Sequence, residues 1–246
     1  MRERVPGEAL VAGRQELPPP ADGAPRIGVL ALQGDVLEHL RLLGLAGADA
    51  VPVKHAAQLD ELDGILIPGG ESTTIGRLAT LYGLFEPLRQ RIAAGLPAFG
   101  TCAGAILLGC QALGADGRPS PQPLLGCMDT VVRRNAFGSQ VDSFETDLEV
   151  AGVTDRKVDG VRGGPMHAVF IRAPWIESAG PAVEALATVT PVGRDGARLD
   201  ARVVVARQGD VLASAFHPEL AGDPRLHQLF LEIVQVSRGS TAPTGK

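Results

Sequence analysis

The sequence is poor in aromatic side chains: 4% of its 246 residues are Phe, Trp or Tyr, with one Trp and one Tyr. A core built from it must be aliphatic. Cysteine is also sparse. Cys102, Cys110 and Cys127 make an odd number with no C-x-x-C spacing, which suggests neither a disulfide framework nor a zinc knuckle, and no metal site is expected. There is no basic excess, since 23 Lys and Arg face 28 Asp and Glu for a net charge of -5. Nucleic-acid binding by phosphate neutralisation is therefore not expected. Apolar runs such as 105–108 fall far short of the ~20 residues that span a bilayer, so no membrane span is expected either. No G-x-G-x-x-G and no G-K-[ST] occurs, which speaks against a nicotinamide enzyme and a phosphate-binding loop; no cofactor is expected. The first residues carry Glu3 and Glu8 and lack the apolar stretch of a secretory signal, so a reducing cytoplasm is the expected location.

What is present is an ordinary globular mixture, 45% hydrophobic and 21% charged, with 31 Gly and 19 Pro for many tight turns. Residues 1–25 hold Pro6, Pro18, Pro19, Pro20 and Pro25 and read as a flexible leader. One domain is expected over 26–236, followed by a disordered tail over 237–246. The apolar runs 27–32, 50–53, 64–68 and 97–101 read as strands. Helical spacing over 36–46, 74–82, 84–94 and 103–111 separates or follows them, which implies βαβ units with right-handed crossovers. Further strands are expected over 131–132, 144–150, 168–171, 183–189, 201–206 and 211–215, with a hairpin turn at 207–210 and a closing helix over 226–234. Segments 113–123 and 153–165 read as surface loops. The fold class is α/β: a single-domain, doubly wound mixed sheet with helices on both faces.

Three segments carry candidate chemistry. Cys102 sits in Gly100-Thr-Cys-Ala-Gly104, between an apolar strand and a helix, a cysteine version of the nucleophile elbow. Such a turn holds sulfur at the carboxyl edge of a sheet, where a helix start favours the reactive thiolate. The bland alternative is a buried core cysteine. As an elbow residue at the surface, Cys102 is expected to contribute little packing. A thiol nucleophile needs a base. His217 follows the strand 211–216 in His217-Pro-Glu219, where the proline is expected to keep the backbone extended and project residues 217 and 219 to one side. Glu219 would then orient the imidazole. His39 and His227 read as surface or packing residues within helices, His55 as solvated, and His167 as a loop residue with no acid at fixed spacing. The third segment is Pro68-Gly-Gly-Glu-Ser-Thr73. Its glycines allow N–H groups to turn inward as an oxyanion hole requires, and Glu71 suits an ammonium. Alternatively the glycines merely make a turn, with Ser72 or Thr73 capping the next helix.

Together these segments resemble the triad glutamine amidotransferases, which have a flavodoxin-like architecture. Leu32-Gln-Gly34, Pro68-Gly-Gly-Glu-Ser-Thr-Thr74, Arg134-Asn-Ala-Phe-Gly138 with Gln140-Val-Asp-Ser-Phe-Glu145, Phe170-Ile-Arg-Ala-Pro174 and Phe216-His-Pro-Glu219 narrow the likeness to the glutaminase subunits of pyridoxal 5'-phosphate synthase, over about residues 26 to 236. The resemblance implies that Cys102 attacks L-glutamine, His217 moves the protons and Glu219 orients His217. It implies an oxyanion hole from the N–H groups of Gly70 and Ala103, and substrate binding by Gly70, Glu71, Ser72, Arg134, Ile171 and Arg172. An arginine suits the α-carboxylate and an acid the α-ammonium; Arg134 and Arg172 could instead pair with acids such as Asp142 or Glu145. The implied partner is a (β/α)8-barrel synthase subunit in a hetero-oligomer, which uses the ammonia. Another amidotransferase acceptor, a peptide-directed cysteine hydrolase and an idle regulatory module are the competing readings. Segments 116–123 and 155–166 look longer than the family pattern.

Overall fold

The computed structural model describes residues 20–137, 143–156, 163–191 and 198–241. Most of the expected leader, Gly138, Gln140 and Asp142 of the family-like signature, 157–162 of the second long segment, and 242–246 of the expected tail lie outside them.

Five parallel strands form the heart of the sheet: β1 (Arg26–Leu30), β2 (Asp49–Val53), β3 (Gly64–Ile67), β4 (Ala98–Thr101) and β12 (Val211–Ser214), in the order β2-β1-β3-β4-β12. Every residue of β3, β4 and β12 is buried, which is why these strands read as unbroken apolar runs rather than alternating ones. The sheet continues antiparallel through β11 (Arg202–Gln208), β9 (Trp175–Ala179) and β6 (Met128–Arg133). It ends on β5 (Gly109–Leu113), parallel to β6, while β10 (Glu184–Val189) pairs with β11. A separate antiparallel ribbon joins β7 (Phe144–Leu148) to β8 (Met166–Phe170).

Successive strand residues face two cores. Ile27, Val29, Leu66, Phe99 and Leu212 pack with Leu43 of α1 (Val36–Leu45) and with Phe230 and Val234 of α6 (Arg225–Thr241). Leu30, Ile65, Ile67, Ala98 and Ala213 pack with Ile75 of α2 (Ser72–Leu81), Leu88 of α3 (Phe85–Ala93) and Leu107 of α4 (Ala103–Leu108). Helices therefore cover both faces, as the sequence implies. A 3-10 helix at Ala56–Glu61 and α5 (Pro218–Ala221) complete the described elements.

Several boundaries differ from expectation. The helix expected over 103–111 stops at Leu108, because Gly109 turns extended (φ -64°, ψ 158°) and the chain pairs with β6 as β5. Strand β9 carries no strong alternation and was not anticipated. Pro218 does not hold the chain extended: it occupies the first turn of α5, where its missing N–H leaves no intrahelical bond unmade. Helix α6 runs to Thr241, beyond the boundary expected at 236. Segment 113–123 folds back on β5 through Gly114 N–H to Arg118 O (2.7 Å) and Ser120 N–H to Ala112 O (2.9 Å). Among the described residues no helix is long and apolar enough to cross a membrane.

Candidate active site

Strand order reverses between β1 and β3, and in open α/β sheets the crevice beyond the carboxyl ends at such a reversal is where ligands bind. The loops following β1, β3, β4 and β12 all open there. They deliver Gln33 and Asp35, Gly70 and Glu71, Cys102, and His217 respectively.

Cys102 lies between β4 and α4 with φ 46° and ψ -100°, a backbone conformation that side-chain-bearing residues rarely adopt. Its N–H donates to Ser214 O of β12 (2.8 Å), which pins the turn to the neighbouring strand. Gly104 is required by close approach: a Cβ there would lie 2.1 Å from Ile67 O of β3. The elbow is not at the surface, contrary to expectation, since Cys102 is 7% exposed.

His217 precedes α5, and its N–H donates to Val169 O of β8 (3.0 Å). Its Nδ1 lies 2.7 Å from Glu219 Oε1 and 3.4 Å from Asp35 Oδ2. The residues thus meet as expected, but through the first turn of a short helix rather than strand alternation. With Nδ1–H donating to the carboxylate, Nε2 remains to serve Cys102. Burial pulls the His217 pKa down, but hydrogen bonding with Asp35, Cys102 and Glu219 outweighs it and pushes the pKa up to about 12. Burial outweighs the pull of His217 and leaves the Glu219 carboxyl above its ordinary value, whereas hydrogen bonding to His217 holds Asp35 below its own. An imidazolium favoured here stabilises a negative sulfur beside it, the requirement for a thiol nucleophile at neutral pH. Asp35, His217 and Glu219 bring ligand-type atoms within 4.8 Å of one another, yet the 2.7 Å contact commits His217 Nδ1 to a proton.

Gly70 adopts φ 144°, and a Cβ on it would meet Gln33 Oε1 at 2.6 Å. Gln33 Oε1 accepts from Glu71 N–H (2.8 Å), fixing this loop from the β1 side. The N–H groups of Gly70 and Ala103 have no hydrogen-bond partner among the described residues, so both remain available to an oxygen. Glu71, not Ser72 or Thr73, caps α2: its carboxylate accepts from Thr73 N–H (3.2 Å) and Thr74 N–H (2.7 Å). The same carboxylate pairs with Arg134 (2.7 Å), whose guanidinium also donates to Ser120 Oγ (3.1 Å). Burial tends to raise the Glu71 pKa, but the Thr74, Thr73 and Arg134 contacts bring it below the ordinary value. Ser72 is buried and gives its hydroxyl to Gln122 Oε1 (3.0 Å). Ile171 and Arg172 are exposed just beyond β8, with Arg172 at φ 47°.

Sequence reasoning missed Gln33, Asp35, Ser120 and Gln122, which frame these residues from the β1 loop and the long 113–123 segment. Of the two readings left open for His39 and His227, packing is the one the structure bears out: both are fully buried and lie behind Glu219. His167 does have acids at fixed positions: the register of β7 with β8 sets Asp147 opposite it, and Asp147 (3.0 Å) and Glu145 (3.1 Å) raise its pKa. Glu145 is thereby paired with His167 rather than with Arg134 or Arg172.

The profile of the SNO glutamine amidotransferase family matches residues 29–236. The chain belongs to that family. Among curated relatives, the "Pyridoxal 5'-phosphate synthase subunit PdxT" of Frankia alni is 59% identical over 213 residues, spanning 87% of this chain and 96% of that protein. The protein of the same name from Parafrankia sp. is 58% identical over 216 residues, spanning 88% and 96%. A solved structure described as a glutamine amidotransferase shares 47% identity at a TM-score of 0.71, over 85% of this chain and 98% of that one. The matched span of the SNO family contains all four loops of the crevice.

Proposed function

We propose that this SNO glutamine amidotransferase hydrolyses L-glutamine to L-glutamate and ammonia through a thioester on Cys102, as the glutaminase subunit of a pyridoxal 5'-phosphate synthase. The observation that supports this most directly is the joint placement of Cys102, the His217–Glu219 pair and two unpaired N–H groups at one sheet edge. Cys102 Sγ attacks the side-chain amide carbon, and the resulting oxyanion takes hydrogen bonds from Gly70 and Ala103 N–H. His217 gives its proton to the departing nitrogen, which leaves as ammonia, and a glutamyl thioester remains. Water then attacks the thioester while His217 accepts its proton, and the thiol re-forms as glutamate leaves. Glu71 and Arg134 meet the α-ammonium and α-carboxylate, exchanging their mutual ion pair for the two charges of the substrate. Ile171 and Arg172 close the pocket from the end of β8, and Ser72 acts through its backbone because its hydroxyl is engaged by Gln122.

The ammonia passes to a (β/α)8-barrel synthase subunit in a hetero-oligomer, in the cytoplasm, where a reducing environment keeps Cys102 a thiol. The test is glutamate release from L-glutamine by the chain alone and with a cognate synthase subunit. Release that rises with the subunit and vanishes in Cys102→Ser is expected. Release unaffected by the subunit refutes the pathway assignment, and none under either condition refutes the glutaminase reading.

A further inference from the structure

Behind the proposed triad lies a second polar chain that the mechanism above does not use. His39 of α1 and His227 of α6 are both 0% exposed, and they meet with His39 Nδ1 2.9 Å from His227 Nε2. His39 Nε2 in turn lies 3.1 Å from Thr101 Oγ1, on the residue preceding Cys102, and 3.4 Å from Glu219 Oε2. Among the described residues Glu219 Oε2 is buried and accepts no hydrogen bond, so the 3.4 Å contact with His39 is an electrostatic one; His227 Nδ1 likewise has no hydrogen-bond partner. A buried pair of histidines between two helices is unusual where two leucines would pack, and this pair ends on the one free oxygen of the triad acid.

We infer that His39 and His227 are positioning residues for Glu219, locked as a neutral, directional pair in which each ring carries its proton on Nε2. The direction follows from counting donors. If His39 holds its proton on Nε2, that N–H donates to Thr101 Oγ1 and sets a positive hydrogen beside Glu219 Oε2, and bare Nδ1 accepts from His227 Nε2–H. His227 Nδ1 is then a lone pair, so no N–H is left buried without an acceptor. The opposite sense places an unpaired N–H on His227 Nδ1 and turns the lone pair of His39 Nε2 toward the Glu219 carboxylate at 3.4 Å, which is repulsive. Neutrality has its own support: burial, with the neighbouring histidines, drives the His39 pKa well below its ordinary value, and burial drives that of His227 to about 3.

The consequence is a division of labour on one carboxylate. Oε1 holds His217 Nδ1–H, and Oε2 is steadied from behind by His39, so Glu219 keeps its orientation while His217 gains and loses protons. The groups facing Glu219 are His217 of its own turn, Asp35 from the β1 loop and His39 from α1; Cys102 faces His217, and Asp223 faces His227 from before α6. This inference rests on the glutaminase reading for its kinetic arm only.

A near-isosteric pair of variants tests it in the full chain assayed with its synthase subunit. His39→Gln carries an amide N–H to the Nε2 position and is expected to keep a third or more of kcat. His39→Asn reaches only the Nδ1 position, toward His227, and is expected to lose at least tenfold in kcat with an unchanged KM for glutamine. Its acid limb should move to higher pH, because Glu219 without the positive end of the His39 N–H beside Oε2 protonates more readily. Equal kcat values and superimposable pH profiles for the two variants overturn the inference. Imidazole 15N shifts of the unmodified chain provide the second measurement: both His39 and His227 should show the Nε2–H tautomer throughout pH 6 to 9. An Nδ1–H or protonated ring at either position overturns it. Wild-type chain that releases no glutamate removes the glutaminase reading instead, and the tautomers then decide the inference alone.

Discussion

Replacing Cys102 by glycine should leave the protein more stable than replacing it by alanine, although glycine removes more of the side chain. Cys102 holds φ 46° and ψ -100°, well away from the left-handed helical well near ψ +47°, so its strain belongs toward the upper end of the ~1–3 kcal/mol seen for such positions. Alanine inherits that strain in full, whereas glycine adopts the conformation freely. Two smaller effects oppose the gain. Glycine adds roughly 0.5–1 kcal/mol of unfolded-chain entropy, and alanine keeps a buried methyl worth about 0.8 kcal/mol. The balance favours glycine by about 1 kcal/mol, or roughly 2–4 °C in Tm for a domain of this size. Calorimetry on both variants, with urea unfolding at matched m values, measures the difference. Both should be inert as glutaminases. An alanine variant that melts at or above the glycine variant refutes the reasoning, and with it the claim that the elbow is strained in solution.

Gly104→Ala should cost several kcal/mol and most of the soluble yield, read by urea unfolding, because its Cβ meets the Ile67 carbonyl oxygen at 2.1 Å and neither β3 nor α4 can yield. Arg225→Met should destabilise by about 3–5 kcal/mol, also read by urea unfolding. The change strands Asp223 without its guanidinium and frees the carbonyls of Gly164 (2.6 Å) and Pro165 (3.2 Å) that Arg225 holds. His227→Gln should flatten the acid side of the stability profile. The folded-state pKa of His227 lies near 3, below that of the unfolded chain near 6.5, so its contribution is complete above 6.5 and lost as pH falls toward 3. Between pH 5.5 and 4.5 the wild type should lose about 1.4 kcal/mol more than the variant; parallel profiles refute the burial of a neutral imidazole.

The parallel half of the fold was readable because β3, β4 and β12 are buried on both faces, and polar residues enter them only at the last positions, Thr101 and Ser214. The elbow and the His217–Glu219 pair were readable because tight turns restrict residue choice. What escaped detection depended on helical phase and on long-range pairing. The buried face of α1 centres on His39, Leu42 and Leu43, while the spacing chosen from sequence was Val36, Leu40 and Leu43. That difference in phase left open whether His39 packs inside or faces solvent. In α6 the expected face, Leu226, Leu229, Phe230 and Ile233, is buried, and His227 and Val234 widen it. The short strand β5 was missed for another reason. Its extended state comes from pairing with β6, a partner far along the chain, and not from any preference of Gly109 to Leu113.

The place of β12 in the sheet has a consequence for how the protein is made. This strand ends the parallel set, joining β4 on one side to the antiparallel β11 on the other, yet it leaves the ribosome long after β4. Until it arrives, β4 presents a bare hydrogen-bonding edge, and Cys102 lacks the Ser214 carbonyl that pins its turn. On the order of a hundred residues separate the two strands, so a nascent chain lengthening at roughly 5–20 residues per second waits roughly 5–20 s with that edge uncovered. The thiol and its base are thus brought together only once β12 and the residues that follow it have emerged, and a chain released before then has neither a joined sheet nor a working crevice.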